Sequence, residues 1–101
     1  MSVPKNITQQ DLATVRQTID SIDEQLTSLL KQRSECVEKI AEYKCLNNLS
    51  IYDAERENRI LEKVTKNNPT RYQAVDMANI FHAILRAGLN QQLVYRAEHE
   101  E

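Results

Sequence analysis

The sequence predicts a small all-α protein, and three observations carry that prediction. The 101-residue chain holds one Gly and two Pro, where average usage would give about seven and five. Sandwiches and barrels need a tight turn every 8–12 residues or so, and this chain cannot supply them. Its β-branched residues form no alternating runs, and its aromatics are sparse, with one Phe, four Tyr and no Trp. Apolar residues instead recur at steps of three and four, which is helical spacing. The 41% hydrophobic fraction is enough for a core, so wholesale disorder is excluded. One domain is expected over residues 1–101, with the polar, aperiodic residues 1–8 flexible.

The elements follow in order. Thr8-Gln9-Gln10-Asp11 reads as a capping box with Thr8 as N-cap. From there a stripe runs Leu12, Val15, Ile19, Ile22, Leu26 and Leu29, continued by Cys36, Ile40 and Tyr43. Leu30, Val37 and Ala41 widen it on one side. No Gly or Pro interrupts this pattern before Asn47-Asn48, so one helix is expected over about residues 9–46. Ser50 or Asp53 caps a second helix over roughly 52–66, with Ile60, Leu61 and Val64 on its buried face, and Asn67-Asn68-Pro69 ends it. Thr70-Arg71-Tyr72-Gln73 reads as another capping box. It opens a third helix to about residue 97, with Val75, Ala78, Phe81, Ile84, Leu85, Leu89 and Val94 among its apolar positions. The chain has no internal repeats and no low-complexity linkers.

Several function classes are excluded. Thirteen Lys and Arg against fifteen Asp and Glu leave a formal charge of -2, without the basic footprint that nucleic-acid binding shows. No apolar run approaches the ~20 residues that cross a bilayer, and Met1–Gln10 carries no apolar core of a signal sequence. Neither a nucleic-acid nor a membrane partner is therefore expected. Cys36 and Cys45 form no CxxC, and His82 and His99 have no ligand spacing, so no metal site is expected. Reduced thiols in a cytoplasmic protein fit best.

Length adds a constraint. At 1.5 Å per residue the first helix is about 55 Å long. A compact globule of about 100 residues has a radius of gyration near 13 Å and a diameter of roughly 30–35 Å. The stripe stays apolar almost throughout, so something must cover its far half. A second copy does so in an intertwined helical homodimer; an elongated monomer with hairpin packing is the alternative.

Polar residues then stand where apolar ones belong. Arg33 falls on a core-type position, and a buried guanidinium needs an anionic partner. Lys44, eleven residues on, returns to within about 20° of the same face. Arg16 lies about 25 Å before Arg33 along the axis, so only an antiparallel partner brings it to the same small ligand. On the second helix Asp53 and Glu57 sit at i and i+4, bordered by Arg56. Capping explains Asp53 but explains Glu57 less well. On the third helix Phe81, Leu85, Gly88, Gln92 and Tyr95 share a face. Gly88, the only glycine, costs about 1 kcal/mol there relative to Ala, which a close approach of backbone or ligand would justify. Such a set suits a small polar dianion, held bidentately by arginines. With no Ser–His–Asp set and no reactive Cys, chemistry would rest on orientation and electrostatics.

Arg16 within Leu12–Asp23, Arg33 in Leu29-Leu-Lys-Gln-Arg33, Lys44, and Asp53-Ala-Glu-Arg-Glu57 together resemble the all-helical chorismate mutase family, over roughly residues 8–97. The resemblance implies an intertwined homodimer with two active sites. It implies isomerisation of chorismate to prephenate by a concerted [3,3] rearrangement in aromatic amino-acid biosynthesis, with no cofactor. By position, Arg33 would bind one substrate carboxylate and Arg16 of the partner chain the other, with Arg56 in support. Lys44 and Gln92 would hydrogen-bond the ether oxygen, and Asp53 and Glu57 would hold the ring hydroxyl. Gly88 stands where the family presents a small hydroxyl residue, so only close backbone packing is expected there. The same scaffold also serves isochorismate pyruvate lyases and aminodeoxychorismate mutases. A non-enzymatic helical dimerisation module is the reading from a different class.

Overall fold

A computed structural model describes residues 8–100. Among them are three helices and no strand: α1 (Gln9–Leu46), α2 (Ala54–Lys66) and α3 (Ala74–His99). The described residues fall into two compact units, one ending at Arg33 and the other beginning at Ser34. The expected flexible segment lies outside the described residues except for Thr8.

The amino-terminal unit is helix throughout after its cap. Thr8 Oγ1 accepts the Asp11 N–H at 3.1 Å, and the Asp11 carboxylate accepts the Thr8 N–H and hydroxyl at 3.1 and 2.8 Å. The capping box is therefore formed, with Asp in the place usual for Glu or Gln. These bonds from Thr8 hold the Asp11 carboxyl below its ordinary pKa. Thr14, Thr18 and Thr27 turn their hydroxyls onto carbonyls four residues back, which lets β-branched polar residues sit within the helix. The stripe is present as a surface: Leu12 is 44% exposed and Leu29 58%, with Val15, Ile19, Ile22 and Leu26 between these values.

The carboxy-terminal unit holds the core. Its centre is Val37, Ala41, Ile51 and Leu85, with Gly88 buried beside them. α2 packs on α3, and Glu57, Ile60, Leu61 and Val64 are among its half-buried residues. On α3 the inward face is Phe81, Leu85, Gly88, Gln92 and Tyr95, all buried or half-buried, as the steps of four and three predict.

One expectation, the cap of α3, is corrected here; the exposures of α1 are those of a single chain. Cys36, Ile40 and Tyr43 are exposed, while the flanking Val37 and Ala41 are buried. The packed face of α1 is thus turned roughly 100° from the continued stripe, at 100° per residue. Gln91 on α3 reaches this part of α1, donating from Nε2 to the Ser34 carbonyl at 2.8 Å and to Glu38 Oε2 at 2.7 Å. The corrected expectation is the cap: Thr70 does not cap α3. Its N–H and hydroxyl are bound to Asn68 Oδ1, and its oxygen accepts the Tyr72 N–H. α3 therefore begins at Ala74 with Gln73 as N-cap, without a side-chain cap bond. Val75 and Val94, apolar positions of α3, are exposed in the single chain, at 60% and 57%.

Candidate active site

The eight positions singled out from sequence divide between the units. Arg16 is exposed and Arg33 half-buried, both in the amino-terminal unit; Lys44, Asp53, Arg56, Glu57, Gly88 and Gln92 lie in the carboxy-terminal one. Only the last six are brought into one packed body.

Lys44 stands in the last turn of α1 and is half-buried. Its Nζ donates to the Ile51 carbonyl at 2.8 Å, so the ammonium is drawn over the α1–α2 connection instead of out to solvent. That connection starts with a helix end in which Asn48 takes φ 54°, the left-handed conformation that Asn tolerates well. Asn48 N–H reaches the Cys45 carbonyl at 3.3 Å and Leu49 N–H the Lys44 carbonyl at 2.8 Å. Ile51 is the buried anchor of the loop at 6% exposure.

Asp53 then caps α2: Oδ1 accepts the Arg56 N–H at 3.1 Å, and its carbonyl accepts the Glu57 N–H. Of the two sequence candidates the cap is Asp53, while Ser50 turns its hydroxyl to the Tyr52 carbonyl. Asp53 and Arg56 are exposed; Glu57, one turn further in, is half-buried. A capping role thus accounts for Asp53 and leaves Glu57 unexplained by local structure.

On α3, Gly88 is buried, and Gln92 one turn later is half-buried. The Gln92 amide donates to the Gly88 carbonyl at 3.4 Å, the long limit for such a bond. Its Oε1 is buried without a hydrogen-bond partner among the described residues. An unmatched buried acceptor of this kind costs about 1–3 kcal/mol. A ligand hydroxyl, water or partner group would satisfy it.

Sequence reasoning missed Arg96. Its Nη2 donates to the Leu49 carbonyl at 2.6 Å and to the Lys44 carbonyl at 3.2 Å. The signal was available: Arg96 lies four residues after Gln92, on the same inward face of α3. Beyond it Tyr95 stacks on His99, with ring centroids 3.9 Å apart. Desolvation of half-buried Tyr95, then the charges of Glu42, Cys45 and Glu38, raise its hydroxyl pKa. An open cleft of about 450 Å³ is lined here by Cys45, Asn48, Arg96, His99 and Glu100. None of the eight candidate residues lines it.

Among the described residues no group of three or more His, Cys, Asp or Glu side chains is placed to hold a metal ion. No helix among them is long and apolar enough to cross a membrane. What is present is a helical body carrying a drawn-in ammonium, two carboxylates at a helix start and a buried amide. Side chains of these kinds have the chemistry to bind and orient a polar small molecule.

The sequence comparisons agree with this class. The chain belongs to the chorismate mutase type II family, whose family model matches residues 15–93, a span that includes all eight positions. Among curated proteins it is similar to the bifunctional chorismate mutase/prephenate dehydratase of Aquifex aeolicus (strain VF5). The two are 34% identical over 85 residues, covering 80% of this chain and 24% of that protein. The protein of the same description from Buchnera aphidicola subsp. Schizaphis graminum is 45% identical over 62 residues, 57% of this chain and 16% of its own. The chain therefore spans about a quarter or less of the length of these relatives.

Proposed function

We propose that this chain isomerises chorismate to prephenate by a concerted [3,3] rearrangement in the cytoplasm, as a homodimer whose active sites each take residues from both copies. The observation that carries this reading is the family match over residues 15–93, which spans every cationic and amide position the chemistry requires. The half-exposed stripe from Leu12 to Leu29 supports the dimer, because apolar area left in water favours association.

In this reading Arg33 and the partner's Arg16 bind the two carboxylates of the substrate, supported by Arg56. Asp53 and Glu57 accept from the ring hydroxyl. Lys44 keeps one N–H on the Ile51 carbonyl and donates another of its three to the ether oxygen, and Gln92 donates beside it. Negative charge grows on that oxygen as the C–O bond breaks while the new C–C bond forms. Donors aimed there bind the transition state more tightly than the ground state. Holding the enolpyruvyl chain over the ring removes freedom the free substrate retains. The arrangement needs no covalent intermediate.

Incubation of the purified protein with chorismate and, separately, with isochorismate tests the reaction. Prephenate from chorismate is expected. Pyruvate or salicylate from isochorismate, with no prephenate from chorismate, would move the chain to a lyase on the same scaffold. Mixing an inactive Arg16→Ala chain with an inactive Lys44→Ala chain tests the shared site, since a heterodimer contains one intact site. Activity should return; none after verified subunit exchange rejects the sharing.

A further inference from the structure

We infer that Arg96 is a positioning residue for Lys44, acting from α3 on the backbone that presents the ammonium. The inference rests on the reaction proposed above and extends it to a residue outside the eight.

One guanidinium nitrogen spans two carbonyls of the α1 exit. Nη2 of Arg96 meets the Leu49 carbonyl at 2.6 Å and the Lys44 carbonyl at 3.2 Å. The Lys44 carbonyl also accepts the Leu49 N–H at 2.8 Å. The two ends of the turn are thereby tied to each other and to α3. Two residues beyond Leu49 stands Ile51, whose carbonyl holds Lys44 Nζ at 2.8 Å. Lys44 is thus fixed at both ends, its backbone by Arg96 and its ammonium through the loop that Arg96 pins.

The chemistry suits the task. The last carbonyls of a helix have no partner within it, and a cation there meets the negative end of the helix dipole. Charge-assisted bonds are shorter and about twice as strong as neutral ones. Asn48 at φ 54° lies inside the pinned segment, so the turn is held in a conformation other residues would resist. A four-carbon side chain reaches its target accurately only if its Cα is held, and a misplacement of about 1 Å can cost 10²-fold in rate. Arg96 itself is engaged by carbonyls and is not assigned to the substrate.

The test compares Arg96→Gln and Arg96→Lys with the wild-type protein, alone and on a Lys44→Gln background. Each is assayed below its own melting temperature. Arg96→Gln is expected to lower kcat about 10- to 100-fold with KM changed less than about threefold. Arg96→Lys should recover part of the loss, because an ammonium also donates to carbonyls but lacks the preorganised planar guanidinium. On the Lys44→Gln background the same change should cost less than about threefold, since the residue it positions is gone. Full multiplication of the two losses, or unchanged kcat in Arg96→Gln, overturns the inference. Amide hydrogen exchange supplies a readout independent of turnover. Arg96→Gln should raise exchange at Leu49 at least tenfold and leave the α2–α3 amides unchanged, whereas uniform acceleration would indicate general loosening and reject the role. A wild-type protein that does not convert chorismate would remove the reaction alone, and the exchange result would still decide whether Arg96 holds the turn.

Discussion

Replacing Gln92 by Leu should make the protein more stable and nearly inactive. The Gln92 Oε1 is buried without a partner among the described residues, and an unmatched acceptor costs about 1–3 kcal/mol. Against this stands the loss of the bond to the Gly88 carbonyl, which at 3.4 Å contributes near the low end of the usual ~0.5–1.5 kcal/mol. Leu and Gln have nearly equal helix propensity and similar size, so neither a cavity nor a backbone penalty is introduced. The net expectation is a gain of about 1 kcal/mol. For a domain of about 100 residues this raises Tm by about 4–8 °C. The measurement is thermal unfolding by circular dichroism at fixed protomer concentration, because association alone shifts Tm. The same variant should lose about 10²- to 10³-fold in kcat, the usual cost of one donor to a developing oxyanion. A lower Tm would show that Oε1 is satisfied in solution, and retained turnover would remove Gln92 from the chemistry.

Other expectations follow from neighbouring geometry. Asp53→Ala should cost about 0.5–2 kcal/mol by loss of the α2 cap, whereas Asp53→Asn keeps the cap and should lose activity alone; equal melting temperatures for wild type and Asp53→Ala would contradict the observed cap. Ala41 has no exposed surface, so Ala41→Leu should overpack the core at about 1–3 kcal/mol, while Ile40→Leu on the exposed side should be silent in the same melt. The Asp11 carboxyl titrates below its ordinary value of 3.8 because of Thr8. Its contribution to the α1 start is therefore fully present above about pH 4 and is lost as pH falls through the lowered value. NMR titration of the Thr8 and Asp11 amides should show this, and Thr8→Ala should return the midpoint toward 3.8.

Much of this molecule is legible without coordinates because its signals are local. A helix end is specified by residues within three or four positions of it. Thr8 and Asp11 form the predicted box, Asp53 caps α2, and Asn67 ends it. The inward face of α3 follows from spacing alone, including the position of Gly88 and Gln92 on it. Local pattern fails where two readings compete for the same groups. Thr70 satisfies the spacing of a cap, yet Asn68 captures its hydroxyl and the helix starts later.

The sequence by itself determined the fold class, the extent of α1 and the residue types available to the site, since scarcity of Gly and Pro and the three-and-four rhythm are properties of the chain. Tertiary structure decided which side of α1 is packed after Ser34. Two candidate faces were apolar there, and the burial of Val37 and Ala41 with Ile40 and Tyr43 left exposed depends on how the helices of this unit pack. It also decided the partners of the polar groups. Arg96 meets Lys44 and Leu49 across 52 and 47 residues of sequence, a separation at which no periodicity carries information. The unmatched oxygen of Gln92 arises for the same reason, because burial is a property of the assembled helices and not of any one of them.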